Sequence, residues 1–443
     1  MSVRDFFASL ESEDETGAED IEETGADSLE ADLTEVEEAG GEAEADQTNV
    51  EQLEDTAEAL ESIALSLEAD AKNGGLDPVA ARYAQRAIDF ALRPLGPSAK
   101  FTHASLESFG GDSSKQSATL SMEADVKAWL KKVWEAIKRA IAKVRDSIKK
   151  LFIKLFAAAP KLKRRAEALQ TTAKGLEGEP KEKQLTIAGN IASGLAVGKK
   201  VEGLGDTAKS LRAQGDWLFD DFFKKTWEYG DAFTAALTNW KFDSEKNFES
   251  SAKAVDNLIG QVPTVAGAKV ASGDKRFAGL EVDRSEPLPG NQAIFVTCKK
   301  PGATLTSKIE TLGTYNVSVR DYTATPVEVK EVKISVPNKG ELEKVGEEIA
   351  ALATRVAKYN NAFQQIDTLI NKVKAAGDKF STEAEKSEKL TGENKANARQ
   401  ILSAAKSCAN VIDAPAAAIT RYLITTGAKV LALGEKAAGM YKG

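Results

Sequence analysis

Residues 121–158 read SMEADVKAWLKKVWEAIKRAIAKVRDSIKKLFIKLFAA. From Ala124 onward Val126, Trp129, Leu130, Val133, Trp134, Ile137, Ile141, Val144, Ile148, Leu151, Phe152, Leu155 and Phe156 recur at steps of three and four. That is the period of one helix face. Between Ala124 and Arg165 there are 14 Lys and Arg against three acids, Asp125, Glu135 and Asp146, a net of +11. The pattern predicts a basic amphipathic helix over 124–158, ended by Pro160. Three readings fit it. The apolar face packs on the body and the charges are simply solvated. Or Lys127, Lys131, Lys132, Lys138, Arg139, Lys143, Arg145, Lys149, Lys150 and Lys154 meet DNA phosphates without sequence preference. Or the apolar face, with Trp129, Trp134, Ile141 and Phe152, inserts into a membrane surface.

Working outward from that stretch, charge divides the chain in two. Residues 1–123 hold 30 Asp and Glu and 7 Lys and Arg, a net of −23. Taken from the whole-chain totals of 68 and 59, that leaves 38 acids and 52 bases, a net of +14, in residues 124–443. Residues 1–68 carry 24 carboxylates and a single base, Arg4. Such a composition predicts a largely disordered segment, with a helix near Val50–Leu67. A second helix is expected over 76–93, capped by Asp77 and opened by Pro78.

A tripeptide punctuates the acidic part. Ser-Leu-Glu ends at Glu11, Glu30, Glu68 and Glu107, and Ser-Met-Glu ends at Glu123. No Ser–large apolar–Glu tripeptide follows Ala124. The irregular spacing argues against a structural repeat, which needs a fixed period. It suits a protease signal. A small residue, any residue, then Glu resembles the site cut by the prohead protease of phiKZ-like giant bacteriophages. Internal head proteins of that group carry acidic propeptides removed during capsid maturation. The resemblance implies a propeptide over 1–123, cut after Glu11, Glu30, Glu68, Glu107 and finally Glu123. It also implies a place inside the phage head and partners among the prohead protease and other head proteins.

The body is expected to be mainly α, with a small β module (α+β overall). Residues 124–260 read as the basic helix and a helical region. Its aromatic run, Trp217 to Trp240, fits a core or partner face better than base stacking. Residues 261–337 read as a β-rich module with strands over 265–272, 278–282, 293–299, 304–309, 316–320 and 327–336. Residues 338–443 read as an antiparallel helical hairpin. Leu342, Val345, Ile349, Leu352, Val356, Tyr359, Phe363, Ile366, Ile370 and Val373 form its seam. Gly377 is expected to stop the first helix, Ser381 to restart one, and Pro415 to break the last. Such a hairpin packs on itself or on copies, so self-association is expected.

Catalysis finds little support. The one histidine, His103, falls in the acidic part. Residues 124–443 therefore have no Ser-His-Asp or Cys-His arrangement, and Cys298 and Cys408 offer no metal spacing. We expect no enzyme, cofactor or metal. No run reaches the length of a membrane span, so the chain is expected to be soluble when made in the host cytoplasm. The expected function is a virion structural protein whose body associates with packaged DNA and head proteins. The alternative is a membrane-active or host-directed protein ejected with the genome, its basic helix masked by the acidic segment.

Overall fold

The computed structural model describes residues 24–95, 109, 114–265, 268–269, 274–325, 329–387, 389–390 and 392–441. The chain forms two compact units, one of Glu38–Leu151 and the other of Phe152–Gly443 with the segment ending at Glu37.

The first helix, α1, spans Thr24–Lys72. It is far longer than the helix expected near Val50–Leu67 and replaces the disorder expected over residues 24–68. The reason is a seam at seven-residue steps. Leu29, Val36, Ala43, Val50, Ala57, Ala64 and Ala71 are all buried, as are Leu53, Leu60 and Leu67 beside them. A heptad seam buries apolar surface however acidic the rest of the helix is. Helix α2, Pro78–Leu92, is capped by the Asp77 carboxylate, which accepts from the Val79 and Ala80 N–H groups at 2.8 Å. Helix α3 spans Lys115–Lys174.

Helix α3 corrects two expectations. It runs through the Glu123/Ala124 boundary rather than beginning there, because Ala118, Met122 and Val126 are buried on one continuous face. It also runs through Pro160. An interior proline costs about 3 kcal/mol. Pro160 itself is exposed, while Leu155, Phe156, Ala158, Ala159 and Leu162 around it are buried. Full burial of each large apolar side chain contributes roughly 1.5–3 kcal/mol, which outweighs the proline.

In the unit of Glu38–Leu151, α1 from Glu38 on, α2 and α3 up to Leu151 each bury apolar side chains, among them Leu60, Ile88 and Val126. The Leu76 N–H donates to Thr119 Oγ1 at 2.9 Å. Gly75, at φ +86°, lets the chain turn within van der Waals distance of the Lys115 backbone.

The other unit is a helical bundle with small sheets. Helix α4 is the short Gly189–Ser193. Helix α5 (Leu204–Asp216) continues through a π-helical turn, Trp217–Phe222, into α6 (Phe223–Thr238). Helices α7 (Glu245–Ser251) and α8 (Lys253–Gln261) follow. Helix α9 is Leu305–Gly313. Helices α10 (Lys339–Lys386) and α11 (Gly392–Gly439) form the C-terminal hairpin. The described seam residues of α10 are buried at 5 % exposure or less. They pack against α5, α6 and α11 of the same chain.

Both long helices run past their expected breaks. Gly377 lies inside α10, where Phe380 anchors the last turns at 1 % exposure. Pro415 lies inside α11, flanked by buried Val411, Ile412, Ala416 and Ile419.

The β module is a four-stranded antiparallel sheet, β4-β5-β6-β7. Its strands are β4 (Ala268–Lys269), β5 (Leu280–Arg284), β6 (Gln292–Lys299) and β7 (Asn316–Asp321). Val282 pairs with Thr297 and Phe295 with Ser318. Most of the expected strand 265–272 lies outside the described residues. The expected strand 304–309 is α9 instead: Thr304 caps it by accepting from the Ser307 N–H, and Leu305, Ile309 and Leu312 have helical spacing. The strand expected at 327–336 is β8, Val332–Ser335. It leaves the module and pairs with β1, Gln184–Ile187. Between β1 and β8 in sequence, β2 (Ala196–Val197) and β3 (Lys200–Val201) form a small hairpin in the region expected to be helical.

Candidate nucleic-acid interface

The ten basic residues singled out in sequence all lie on α3. The side chains of Lys127, Lys131 and Lys138 lie outside the described residues, as do those of Trp134 and Ile141. Lys132, Arg139, Lys143 and Lys150 are exposed, while Arg145, Lys149 and Lys154 are half-buried. Trp129 is half-buried, with the Lys132 ammonium 4.4 Å from its ring centroid.

The acidic segment supplies partners to this row. Within the unit of Glu38–Leu151, Asp46 accepts from Lys143 Nζ at 2.6 Å and from Ser147 Oγ at 2.8 Å. Asp46 and Ser147 are both buried. Burial pushes the Asp46 carboxyl up, but the hydrogen bonds from Lys143 and Ser147 and the charges of Lys143 and Lys150 outweigh it. Its pKa therefore falls below the ordinary value. Lys143 moves the other way, upward, through its hydrogen bond to Asp46.

Within the other unit Lys154 pairs with Glu35, and Lys161 pairs with Asp32 at 2.7 Å. The hydrogen bond from Lys154 lowers the Glu35 pKa. In that unit the pairing runs antiparallel: the lower-numbered Asp32 meets Lys161 and Glu35 meets Lys154.

Solvent screens the pairs of exposed Glu35 and Lys143, which therefore add little stability. Burial of Val36, Val50, Leu53, Leu60 and Leu67 contributes roughly 1.5–3 kcal/mol per large side chain. Apolar burial therefore holds the acidic helix, and Asp46, seated at a seam position, sets its register. Asp32, Glu35, Asp46 and Ser147 were not singled out from sequence. The heptad of buried α1 positions was the signal that would have placed the acidic helix on a partner.

Beyond Leu151, α3 is anchored in its own unit. Phe152 and Phe156 stack at 5.7 Å, and Phe152 lies 6.1 Å from Tyr359. Tyr359 in turn meets Phe219 at 4.8 Å and Phe223 at 4.3 Å. Phe152 thus belongs to the core. Arg165 donates to Glu435 at 3.0 Å. The aromatic run of α5 and α6 serves this packing, as expected of a core face.

The five tripeptide glutamates fare differently. Glu11 and Glu107 lie outside the described residues, as does the Glu68 side chain. Glu30 is exposed on α1. Glu123 lies inside α3 and is buried at 6 % exposure.

An open cleft of about 850 Å³ lies between the end of α6 and the end of α10, lined by Trp240, Phe242, Phe380 and four lysines. Its rings are committed to one another, with Trp240 and Phe242 set edge-on to Phe380. Cys408 is buried, which drives its thiol pKa up and leaves it unreactive. Among the described residues no group of His, Cys, Asp or Glu is placed to hold a metal ion. Nor is any helix among them long and apolar enough to cross a membrane.

No curated protein and no solved structure matches the chain. A family model does, over residues 19–436, from the acidic helix to the last turns of α11. That span covers both charge halves and both units, and its description agrees with the place the tripeptides implied. The chain belongs to the phiKZ-like phage internal head proteins, and its place is inside the virion.

Proposed function

We propose that this internal head protein is made with its basic helix masked and is unmasked by proteolysis in the head. The observation that carries the reading is the pairing of the acidic helix with α3: Asp46 on Lys143 and Ser147, Glu35 on Lys154, Asp32 on Lys161. Residues 1–123 are the propeptide and Glu123 is its final cleavage site. The remaining body, net +14, associates with packaged DNA through phosphates alone and with other head proteins.

Glu123 is helical and buried, whereas a protease binds extended chain. The cut after Glu123 therefore requires the surrounding turns of α3 to open, a local unfolding event. Earlier scission after exposed Glu30 loosens the acidic helix and favours that opening. The body has a structural role, and its polar groups serve packing and register rather than chemistry.

The test is the N-terminus of the protein in purified virions, read by mass spectrometry of terminal peptides. A chain beginning at Ala124 is the expected result. An intact Met1 in particles overturns the maturation reading.

A further inference from the structure

Removal of residues 1–123 does more than change charge. Among the described residues of the unit of Glu38–Leu151, every other helical segment belongs to the propeptide: α1 from Glu38 on, α2 with the turn Arg93–Leu95 that follows it, and the first turns of α3. The retained part, Ala124–Leu151, buries Val126, Val144, Ile148 and Leu151 at 0–7 % exposure, and Asp46 of α1 bonds Lys143 and Ser147 on the same stretch. Once they leave, this apolar face has no cover within its unit. The same segment carries nine Lys and Arg against three acids. Lys132 and Arg139 lie seven residues apart on its exposed side, and so do Lys143 and Lys150.

We propose that Ala124–Leu151, once uncovered, docks in the plane of a lipid bilayer bearing anionic headgroups. The inference rests on the unmasking described above. Charge and apolarity together select the occupant. DNA phosphates match the lysines but leave Val126, Val144, Ile148 and Leu151 in water. A second copy covers the apolar face but sets nine bases against nine. An anionic bilayer meets both demands, the apolar face at the acyl boundary and the bases at the headgroups. Trp129, with the Lys132 ammonium on its ring, has the amphipathic character of a headgroup-level anchor. No described helix is apolar enough to cross a membrane, so the segment lies on the surface.

The experiment uses the full chain and needs no phage protease. Leu53→Asp with Leu60→Asp unseats the acidic helix. Wild type and this variant are floated with vesicles of phosphatidylcholine alone or mixed equally with phosphatidylglycerol, with helicity followed by circular dichroism. The variant floats with the anionic vesicles and the wild type does not. Adding Lys132→Glu, Arg139→Glu, Lys143→Glu and Lys150→Glu to the variant lowers that binding by roughly tenfold or more. The processed chain recovered from virions provides a second readout that does not depend on the variant folding, and it floats likewise.

A helical variant and a recovered chain that bind double-stranded DNA but no vesicle overturn the proposal. So does equal binding to neutral and anionic vesicles. An intact Met1 in particles sinks the maturation reading without touching the flotation result, so the two failures are distinguishable.

Discussion

Gly346 lies where α10 crosses α3, and a Cβ there would sit 2.6 Å from the Ala166 carbonyl oxygen and 2.9 Å from the Gln170 backbone nitrogen. Both neighbours are helix backbone and cannot rotate away. The bulk therefore forces the two helices apart, and overpacking of this kind costs about 1–3 kcal/mol. Gly346→Ala should lower the urea midpoint of unfolding with an unchanged slope. No sequence pattern exposed this glycine, because its constraint comes from a helix 180 positions earlier in the chain. The buried face of α3 was legible, since Val144, Ile148 and Leu151 repeat at helical steps and their partners need only be apolar. Asp46 was not legible. It is one carboxylate among 24 in residues 1–68, and only Lys143 and Ser147 distinguish it.

At the scale of elements, composition and periodicity competed, and periodicity won wherever burial was large. Residues 1–68 were expected to be largely disordered on charge alone, yet from Thr24 the alanine, valine and leucine steps of α1 build a seam. Pro160 and Pro415 were expected to end helices, but packing on both sides of each outweighs one lost hydrogen bond. Strands β5, β6 and β7 were legible from alternation. Strands β1, β2 and β3 are too short to carry a pattern, and β8 was readable as a strand but not as the partner of β1.

The hold of α1 on α3 has a pH signature. Asp46 has a depressed pKa in the folded chain, so its contribution is present above the unfolded value of 3.8. It is lost as pH falls through the lower folded value. Asp46→Asn should remove that part of the acid sensitivity. It should also loosen α1 near neutral pH, because the Lys143 and Ser147 bonds lose their charged acceptor. Hydrogen exchange of α1 amides in the wild type and the variant, followed from pH 7 to pH 3, checks both effects. Equal protection in the two chains at pH 7 would show that Asp46 sets no register.

For the whole molecule, the decisive quantity is the division of charge. The complete chain carries −9, the sum of −23 in residues 1–123 and +14 beyond. On the proposed function, the acidic part masks the basic one until it is removed. On that proposal a polyanion such as DNA gains little by approaching the complete chain, because Asp46, Glu35 and Asp32 pair with Lys143, Lys154 and Lys161. The family membership places the chain inside the virion, and the proposed masking has a measurable consequence there. The full chain should bind double-stranded DNA weakly. The Leu53→Asp, Leu60→Asp variant and the processed chain from virions should bind it tightly at low salt and lose affinity steeply as salt rises. For about five phosphate contacts, the logarithm of the binding constant should fall with a slope near −4.5 against the logarithm of salt concentration. Base sequence should not matter, since no groove-reading element is required for contacts to phosphate. Fluorescence anisotropy with duplexes of two unrelated sequences, from 50 to 200 mM salt or about a fourfold range, measures slope and specificity together. A slope near zero for the unmasked chain, or tight binding by the intact one, would mean that the charge division serves solubility and not DNA.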